Sequence, residues 1–199
     1  MLTKLEIKRQ AFHLFLGFFI VLLLYFDLIN YIFLLILFIV GLALSLSSKK
    51  FNIPVIYKFL KTFDREKDLE ELPGKGAIFY ILGAFLVVLI FPKDIALASI
   101  MILALGDSVS RLVGPYGYLK HPFHNTKFFE GVIAGTIAGF LGALFFVSWP
   151  LALIASSASM LIEGFDLKIK NFKIDDNLLI PLVAGVVMQS IQSFSLIFL

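Results

Sequence analysis

The sequence predicts an all-α integral membrane protein with about seven transmembrane helices. Of the 199 residues, 60% are apolar and 23 are Phe, and the mean hydropathy is +0.98, well above the usual range of soluble domains. Short polar segments separate apolar stretches that are long enough to cross a bilayer. These stretches occupy nearly the whole chain, so residues 1–199 are predicted to form a single domain. The absence of Cys excludes disulfides, thiolate metal sites and cysteine nucleophiles.

The predicted spans follow the apolar stretches in chain order. They are Ala11–Phe26, Leu28–Leu46, Gly76–Phe91, Ile95–Leu112, Phe128–Ser148, Leu151–Gly164 and Leu178–Phe198. The first is predicted to be a retained span, because no small-residue cleavage pattern follows it. Trp149 and Pro150 separate the fifth and sixth spans and indicate a tight turn at the membrane interface.

Positively charged residues orient the chain in the bilayer. Of the 17 Lys and Arg residues, only Lys93 falls in an outer connection when the N-terminus is placed inside. This positive-inside pattern predicts a cytoplasmic N-terminus and places the polar segments at the cytoplasmic face. The net charge of +3 suits the anionic lipid of an inner leaflet and requires no nucleic acid partner.

Residues 51–71 are predicted to form an amphipathic helix that lies on the inner membrane surface. Ile56, Phe59 and Phe63 recur at helical spacing, and charged residues such as Arg65 fall on the opposite face, which is the pattern of an interfacial helix. Such a helix is either a surface anchor or a gate for a molecule that enters sideways from the bilayer. The sequence leaves both interpretations open.

A polar stripe lies on one face of the first span and its approach. It comprises Glu6, Arg9, His13 and Gly17, at spacings of three and four residues. One interpretation is a snorkelling Arg with a hydrogen-bonded His. The other is that Lys8 and Arg9 bind phosphate groups, because a planar guanidinium pairs well with phosphate oxygens.

Asp107 is the most informative polar residue of the apolar stretches. It ends the apolar run of the fourth span, and Arg111 follows four residues later. A carboxylate in a membrane helix is costly to keep, so its presence indicates a functional site. The alternative is a structural ion pair with Arg111 that makes the carboxylate tolerable near the interface. Gly114, in the same helix, permits close approach of a backbone or a ligand.

The segment Asn125–Gly131 opens the fifth span with a Lys and a second carboxylate. A helix N-terminus with free amide groups beside Lys127 is a natural phosphate cradle. Glu130 is either part of that site or only a capping acid of the first turn. His121 and His124 lack the spacing and company of metal ligands and are interpreted as loop residues.

Small residues recur along the fifth span. Gly131, Gly135 and Gly139 repeat every four residues, a pattern typical of membrane helices whose backbones touch. We therefore predict that they serve packing rather than catalysis, and that the packing holds Lys127 and Glu130 toward Asp107. The same pattern would serve a homodimer equally well, so the oligomeric state stays open.

A fourth polar group flanks the seventh span. Glu163 ends the sixth span, and Asp175, Asp176 and Asn177 precede the seventh. Asp and Asn immediately before an apolar helix are ordinary N-cap residues. Together with Glu163 they would also form an oxygen-rich site for Mg²⁺, a hard cation that favours carboxylates and shares the phosphates of a substrate.

Five segments stand in an order and spacing typical of one membrane family. They are Glu6–His13, Leu72–Ala77, Ala104–Gly114, Asn125–Gly131, and Glu163 with Asp175–Pro181. Together they resemble the CTP-dependent polyprenol and lipid kinases, a family that includes dolichol kinase, phytol kinase and the CTP-dependent diacylglycerol kinase. The related phosphatidate cytidylyltransferases share the Gly-Asp and Lys-x-x-Glu-Gly elements. The chain lacks the Pro-Gly-His-Gly-Gly block expected of them, which favours the kinases.

The resemblance implies an enzyme that uses CTP and Mg²⁺ to phosphorylate the hydroxyl of a membrane lipid alcohol at the cytoplasmic face. The catalytic residues implied are Asp107, Lys127, Glu130 and Asp176. The nucleotide-binding residues are Lys8, Arg9, His13, Lys75, Arg111, Gly114, Asn125, Lys127 and Gly131. The metal ligands are Asp107, Glu130, Glu163, Asp175, Asp176 and Asn177. The proton of the hydroxyl would pass to Asp107 or to the Asp175–Asp176 pair, and the lipid tail would lie in the bilayer or in a groove between Phe-rich helices.

Two other functions remain open at this point. The first is a CTP-dependent cytidylyltransferase, in which a lipid phosphate attacks the α-phosphorus of CTP and pyrophosphate leaves. The second is a small transporter whose intramembrane charges form a path. Transporters place their coupling groups near the midplane, whereas nearly all the charges here fall at one face, so the pattern favours an enzyme.

Overall fold

The computed structural model describes residues 2–48, 60–120, 128–165, 168–169 and 172–197. This part of the chain is helical except for one short antiparallel hairpin, in which Lys168–Ile169 pairs with Phe172–Lys173. Its main helices are α1 (Lys4–Tyr25), α2 (Tyr31–Ser48), α3 (Glu66–Glu71), α4 (Lys75–Ile90), α5 (Lys93–Tyr116), α6 (Phe129–Ala143), α7 (Trp149–Glu163) and α8 (Asp176–Ile197).

Most of these helices have the composition of membrane spans. Helices α1, α2 and α5, and α8 over Asp176–Phe194, are long and apolar enough to cross a membrane, and α4, α6 and α7 are shorter apolar helices. The predicted all-α membrane fold is therefore confirmed. Each predicted span corresponds in order to one of these helices, while the number that cross the bilayer, and their orientation, stay predictions.

Helix α5 is the centre of the fold. It contacts α1, α4, α6, α7 and α8. In its most apolar stretch of 18 residues, 78% are buried. It is not regular throughout: Ile102–Asp107 is a π-helical segment between two α-helical ones. Segments of π-helix occur frequently at functional sites. This one ends at Asp107, the carboxylate that the sequence singles out.

Glycines bring α6 against α5 at backbone distance. A β-carbon added at Gly135 would lie 2.7 Å from the carbonyl oxygen of Gly106, and one added at Gly131 would lie 2.9 Å from that of Ser110. The prediction that these glycines serve packing is confirmed. The close contact fixes the backbone on both sides of Asp107, because neither helix can shift without a clash.

The connection between the fifth and sixth spans differs from the prediction. Helix α6 ends at Ala143, and Ser148 is the N-cap of α7, so that Trp149 and Pro150 are the first residues of α7 rather than the turn itself. Pro is well tolerated there, since the first N–H groups of a helix have no partner within it. The turn lies over residues 144–148.

The predicted interfacial helix over residues 51–71 is described only from residue 60 onward. Residues 60–63 are helical, the helix breaks at Asp64 and Arg65, and α3 follows. A long-range bond explains the break, because Asp64 Oδ2 accepts a hydrogen bond of 2.6 Å from the backbone N–H of Gly74. The predicted helix is therefore interrupted within the described part, and its place at the membrane interface stays a prediction.

Candidate active site

Three buried carboxylates meet where α5, α7 and α8 converge. Asp107 ends the π-helical segment of α5, Glu163 is the last residue of α7, and Asp176 is the first residue of α8. These residues are 1%, 1% and 8% exposed, and one oxygen atom from each lies within 4.8 Å of the others. We name Asp107, Glu163 and Asp176 the acidic cluster.

Arg111 joins two members of the acidic cluster. Its Nε donates to both carboxylate oxygens of Asp107, at 2.8 and 2.9 Å, and its Nη2 donates to Asp176 Oδ2 at 2.7 Å. The predicted ion pair between Asp107 and Arg111 is thus present, and Arg111 also reaches α8, which its spacing from Asp107 did not reveal. Buried carboxylates require such a counter-charge, and the planar guanidinium fixes their relative orientation.

Polar side chains beside the acidic cluster complete its surroundings. Ser110 Oγ donates to Glu163 Oε2 at 3.1 Å. Among the described residues, Ser108 Oγ and Asn177 Oδ1 are buried and have no hydrogen-bond partner, although buried polar atoms are usually bonded. These residues follow Asp107 and Asp176 directly in the chain. Their oxygen atoms are therefore candidate contacts for a ligand.

A polar pocket of 220 Å³ opens beside the acidic cluster. Its lining residues are Arg9, Arg65, Lys67, Asp68, Glu71, Lys75, Gly76, Arg111, Ile174, Asp175, Asp176 and Asn177. We name it the cationic pocket, because α1, α4, α5 and the segment around α3 each contribute Arg or Lys to it. Asp176 belongs to both the pocket and the cluster, and Arg111 lines the pocket while it binds Asp107 and Asp176, so the two are contiguous. Converging cations beside a carboxylate cluster suit a polyphosphate that carries a divalent metal ion.

The polar stripe of α1 faces the protein interior. Arg9 and His13 are both buried, and Gly76 packs on them, since a β-carbon there would lie 3.2 Å from His13 Nε2 and 3.9 Å from Arg9 Nη2. The His13 ring contacts Tyr80 edge to face. Of the predicted nucleotide-binding residues of α1, Arg9 lines the cationic pocket, whereas His13 lies one turn further along the helix and does not.

Asp175 is the N-cap of α8. Its Oδ1 accepts hydrogen bonds from the backbone N–H of Asn177 at 3.1 Å and from Asn177 Nδ2 at 2.8 Å. Burial raises the pKa of the Asp175 carboxyl above its usual range, and the bond from the Asn177 backbone offsets part of that rise. Asp175 lines the cationic pocket but is not a member of the acidic cluster; its contacts fit the N-cap interpretation, and its assignment as a metal ligand stays a prediction.

Glu130 lies apart from the acidic cluster. Its Oε1 accepts hydrogen bonds from the backbone N–H groups of Tyr118 and Leu119, at 2.8 and 3.1 Å, and so ties the loop after α5 to the start of α6. Two backbone donors therefore engage this carboxylate locally. The interpretation as a local cap fits these contacts, while the assignment of Glu130 as a metal ligand and catalytic residue stays a prediction.

The remaining predicted nucleotide-binding residues lie in different places. Gly114 and Gly131 pack against each other between α5 and α6, and their assignment to a nucleotide site stays a prediction. Lys8 is exposed and does not line the cationic pocket, whereas Lys75 does. Asn125 and Lys127, like the loop residues His121 and His124, lie outside the described residues.

Sequence reasoning missed Arg65 and Lys67 of the cationic pocket. Both were interpreted as the polar face of a surface helix, because their spacing suits one. A signal was nonetheless present: Leu72-Pro73-Gly74 must reverse the chain soon after them. A reversal there carries the charged segment back over the start of α4.

An apolar groove lies on another side of α5. It has a volume of 440 Å³ between α1, α5 and α6. Its lining includes four Phe side chains, Phe18, Phe26, Phe145 and Phe146. The lining residues of α1 begin at Phe18, nine residues beyond Arg9, which is about 13 Å along an α-helix. A Phe-rich groove of the predicted kind is therefore present near the other end of α1 from the cationic pocket.

Comparison with known proteins finds relatives over nearly the whole chain. An uncharacterized protein of Methanocaldococcus jannaschii is 32% identical, with 92% of each chain covered. CTP-dependent diacylglycerol kinase 1 of Saccharomyces cerevisiae is 29% identical, with 96% of this chain and 74% of the kinase covered. A probable chloroplastic phytol kinase 1 of Oryza sativa is 32% identical, over 62% of this chain and 44% of that protein.

Two other comparisons return nothing. No family model matches the chain. No solved structure matches it either. The relatives with a stated activity agree with one another, since each is named as a CTP-dependent diacylglycerol kinase or a phytol kinase, and they agree with the motifs in the sequence. The chain belongs to the family of CTP-dependent lipid kinases.

Proposed function

We propose that this protein transfers the γ-phosphoryl group of CTP to the hydroxyl of a membrane lipid alcohol. The observation that carries the proposal is the contiguity of the acidic cluster and the cationic pocket through Arg111 and Asp176. Phosphoryl transfer asks a protein mainly to position the reactants and neutralise charge. A metal-binding cluster that opens into a cation-lined pocket meets both needs. The preference for CTP rests on the named relatives.

The cationic pocket would bind the triphosphate. Arg9, Lys75 and Arg111 reach it from α1, α4 and α5, and Arg65 and Lys67 reach it from the segment around α3. The guanidinium forks of Arg bind phosphate oxygens in pairs, whereas each Lys contributes a point charge. A polyphosphate held from several helices has little freedom to turn, which favours one orientation of its terminal phosphorus.

The acidic cluster suits Mg²⁺. Its three carboxylates present oxygen atoms within 4.8 Å of one another, and oxygen is the ligand that Mg²⁺ prefers. In the described contacts one guanidinium, that of Arg111, bridges Asp107 and Asp176. Asp107, Glu163 and Asp176 would hold the ion, with the Asn177 side-chain oxygen beside them. When bound, Mg²⁺ would draw charge from the phosphate oxygens.

The transfer itself is a single displacement. The alcohol oxygen attacks the γ-phosphorus, the bond from that phosphorus to the β–γ bridging oxygen breaks, and CDP leaves with the bridging oxygen. The proton of the alcohol passes to a carboxylate. We assign it to the Asp175–Asp176 pair rather than to Asp107, because both members of the pair line the cationic pocket and Asp107 does not.

The reaction would take place at the cytoplasmic face. The positive-inside pattern supports this side, and the cationic pocket gathers five of the Arg and Lys residues that define it. The lipid alcohol would present its hydroxyl at the interface while its hydrocarbon stays in the bilayer or enters the Phe-lined groove. CTP would reach the pocket from the aqueous side, so each substrate would arrive from its own phase.

The proposal is tested by following the label from CTP. Purified protein in lipid vesicles would receive Mg²⁺, CTP labelled at the γ-phosphate and, in separate reactions, diacylglycerol, phytol, geranylgeraniol, dolichol or undecaprenol. We expect label in the lipid fraction with one class of alcohol, together with release of CDP. ATP labelled at the γ-phosphate serves as the matched control for the choice of nucleotide.

A parallel reaction separates the kinase from a cytidylyltransferase. Here CTP carries its label on the α-phosphate, and the lipids are supplied as phosphates. Label in a CDP-lipid with release of pyrophosphate, and none in the γ-labelled arm, would replace the proposed activity with cytidylyl transfer. No label in either arm, with CTP bound by the protein, would also contradict the proposal.

A further inference from the structure

Glu6 lies outside the cationic pocket but contacts two of the arginines that form it. Its Oε2 accepts a hydrogen bond of 2.8 Å from Nη2 of Arg65, and Nη1 of Arg9 lies 3.5 Å from the same oxygen. Its other oxygen, Oε1, accepts a bond of 2.6 Å from Nε2 of Gln10. One carboxylate therefore joins α1 to the segment before α3, which is 59 residues away in the chain.

The two arginines need such a partner. Arg9 and Arg65 carry like charges, come from different elements and converge on one pocket of 220 Å³. Like charges at short range repel, and an Arg side chain loses conformational freedom when it is held in place. Glu6 offsets both effects, because a single carboxylate accepts a hydrogen bond from Arg65 and forms an ion pair with Arg9. Within the described residues, the side chain of Arg65 is 47% exposed and is held by this ion pair with Glu6.

We propose that Glu6 is a positioning residue for the nucleotide, which aligns Arg9 and Arg65 so that both guanidinium groups meet the triphosphate in the cationic pocket. This inference rests on the proposed function for the identity of the anion. Glu6 acts only through the arginines, since it does not line the pocket. The remaining donor groups of each guanidinium stay available for phosphate oxygens, because a guanidinium has five N–H donors.

Two opposite effects decide what removal of the Glu6 charge does. The lost negative charge makes the pocket more positive, which by itself strengthens attraction for an anion. The lost ion pairs free two arginines, which weakens their alignment. The second effect is the larger one if Glu6 is a positioning residue, since phosphate binding depends on close paired hydrogen bonds. The sign of the change in CTP affinity is therefore diagnostic.

The experiment compares Glu6→Gln with Glu70→Gln, which removes the same charge from an exposed residue of α3 that does not line the cationic pocket. The full-length protein in vesicles is titrated with CTP and Mg²⁺, and binding is measured directly, beside kcat and KM. For Glu6→Gln we expect the dissociation constant and the KM for CTP to rise about ten-fold, the size of one weakened charge-assisted hydrogen bond. We expect kcat and the KM for the lipid to stay within about two-fold. For Glu70→Gln we expect wild-type values.

Arg65→Gln provides an independent variant, because Arg65 is exposed and its loss leaves the core unchanged. It should weaken CTP binding by a similar factor. In the double variant Glu6→Gln, Arg65→Gln the dissociation constant for CTP should rise about ten-fold in total, and not the roughly 100-fold of two independent effects, since coupled residues are not additive. Fully multiplicative effects, tighter binding in Glu6→Gln, or a lower kcat with unchanged CTP affinity would each overturn the inference.

These outcomes are distinct from failure of the proposed function. A wild-type protein that binds CTP but labels no lipid contradicts the kinase, while the binding arm still decides the role of Glu6. A wild-type protein that transfers phosphate normally, together with a Glu6→Gln variant of unchanged CTP affinity, contradicts the role of Glu6 alone. A wild-type protein that does not bind CTP contradicts both.

Discussion

The acidic cluster and the cationic pocket adjoin each other but are built differently. The cluster is formed by the ends of packed helices, its carboxylates are almost fully buried, and glycine contacts fix the backbone that carries Asp107. One wall of the pocket is a short segment around α3, whose side chains are held by ion pairs at the surface. Lys67, for example, is 79% exposed and lies 3.5 Å from Glu71. The acidic cluster is thus buried and tightly packed, whereas this wall of the cationic pocket is exposed to solvent and held by weaker contacts.

This difference indicates that the acidic cluster and the cationic pocket have different roles. Charge stabilisation in a reaction is effective when the charged groups are already in place and shielded from water. Binding and release of a nucleotide instead require side chains that exchange partners readily, and exposed ion pairs are worth little and are easily exchanged. We therefore expect changes in the cluster to abolish turnover and changes in the pocket wall to alter nucleotide affinity.

Asp107→Asn should have the largest effect. It removes one charge from the acidic cluster and one partner of Arg111 while keeping the shape of the side chain, so we expect kcat to fall at least about 100-fold. The rate of phosphate transfer from γ-labelled CTP is the measurement. Asp94→Asn, at the exposed start of the same helix, is the matched control and should retain the wild-type rate. An active, folded Asp107→Asn protein would remove the cluster from the mechanism.

Gly135→Ala should have the next largest effect, through packing. The new β-carbon would lie 2.7 Å from the carbonyl oxygen of Gly106 and 2.8 Å from the sulfur of Met160, so α5 and α6 must separate. Overpacking of this kind costs about 1–3 kcal/mol, and the shift moves Asp107. We expect a lower Tm and a lower kcat.

The control for this change is Gly41→Ala on α2. The nearest atom to a β-carbon there is Ile78 Cγ1 at 3.9 Å, an ordinary contact, so Tm and kcat should remain near the wild-type values. If both alanine variants lose stability equally, close packing of α6 on α5 does not explain how Asp107 is held.

The sequence predicted the residues of the acidic cluster better than those of the cationic pocket. Asp107, Glu163 and Asp176 each interrupt or border an apolar stretch, where the cost of a carboxylate makes it conspicuous. Arg111 was recognised by its spacing from Asp107. Its bond to Asp176 was not, because that residue is 65 positions away and only the packing of α8 on α5 brings them together. The all-α fold followed from hydropathy alone.

The wall of the cationic pocket around α3 could not be predicted, because its contacts are between residues distant in the sequence. Arg65 and Lys67 look like the polar face of a surface helix, and nothing local reveals that Asp64 binds Gly74 and breaks that helix. Glu130 had the spacing of a site residue, but the backbone of the preceding loop uses its carboxylate. Exposed charges have many interchangeable partners, so local sequence decides their contacts poorly.

Lys67→Gln should have a small effect on affinity. The side chain lines the cationic pocket but is largely exposed, so solvent screens its charge. We expect the KM for CTP to rise about two- to three-fold at low salt, with kcat unchanged, and the difference to shrink at high salt. Lys61→Gln, an exposed residue outside the pocket, should show neither change. A loss of kcat in Lys67→Gln would show that the pocket wall contributes to the reaction itself.

Lys93→Gln should have the smallest effect and tests whether the chemistry is confined to one end of the protein. Lys93 Nζ lies 2.6 Å from Asp27 Oδ1 and donates to the carbonyl oxygen of Tyr25 at 3.0 Å, so it joins the end of α1 to the start of α5. Both charged side chains are exposed, and a pair of this kind contributes about 0–1 kcal/mol. We expect kcat and the KM for CTP to stay within about two-fold of wild type, since neither Lys93 nor Asp27 lines the cationic pocket. A fall in kcat, or a rise in the KM for CTP larger than that of Lys67→Gln, without a change in Tm, would mean that charges at both ends serve the function, as they would in a transporter.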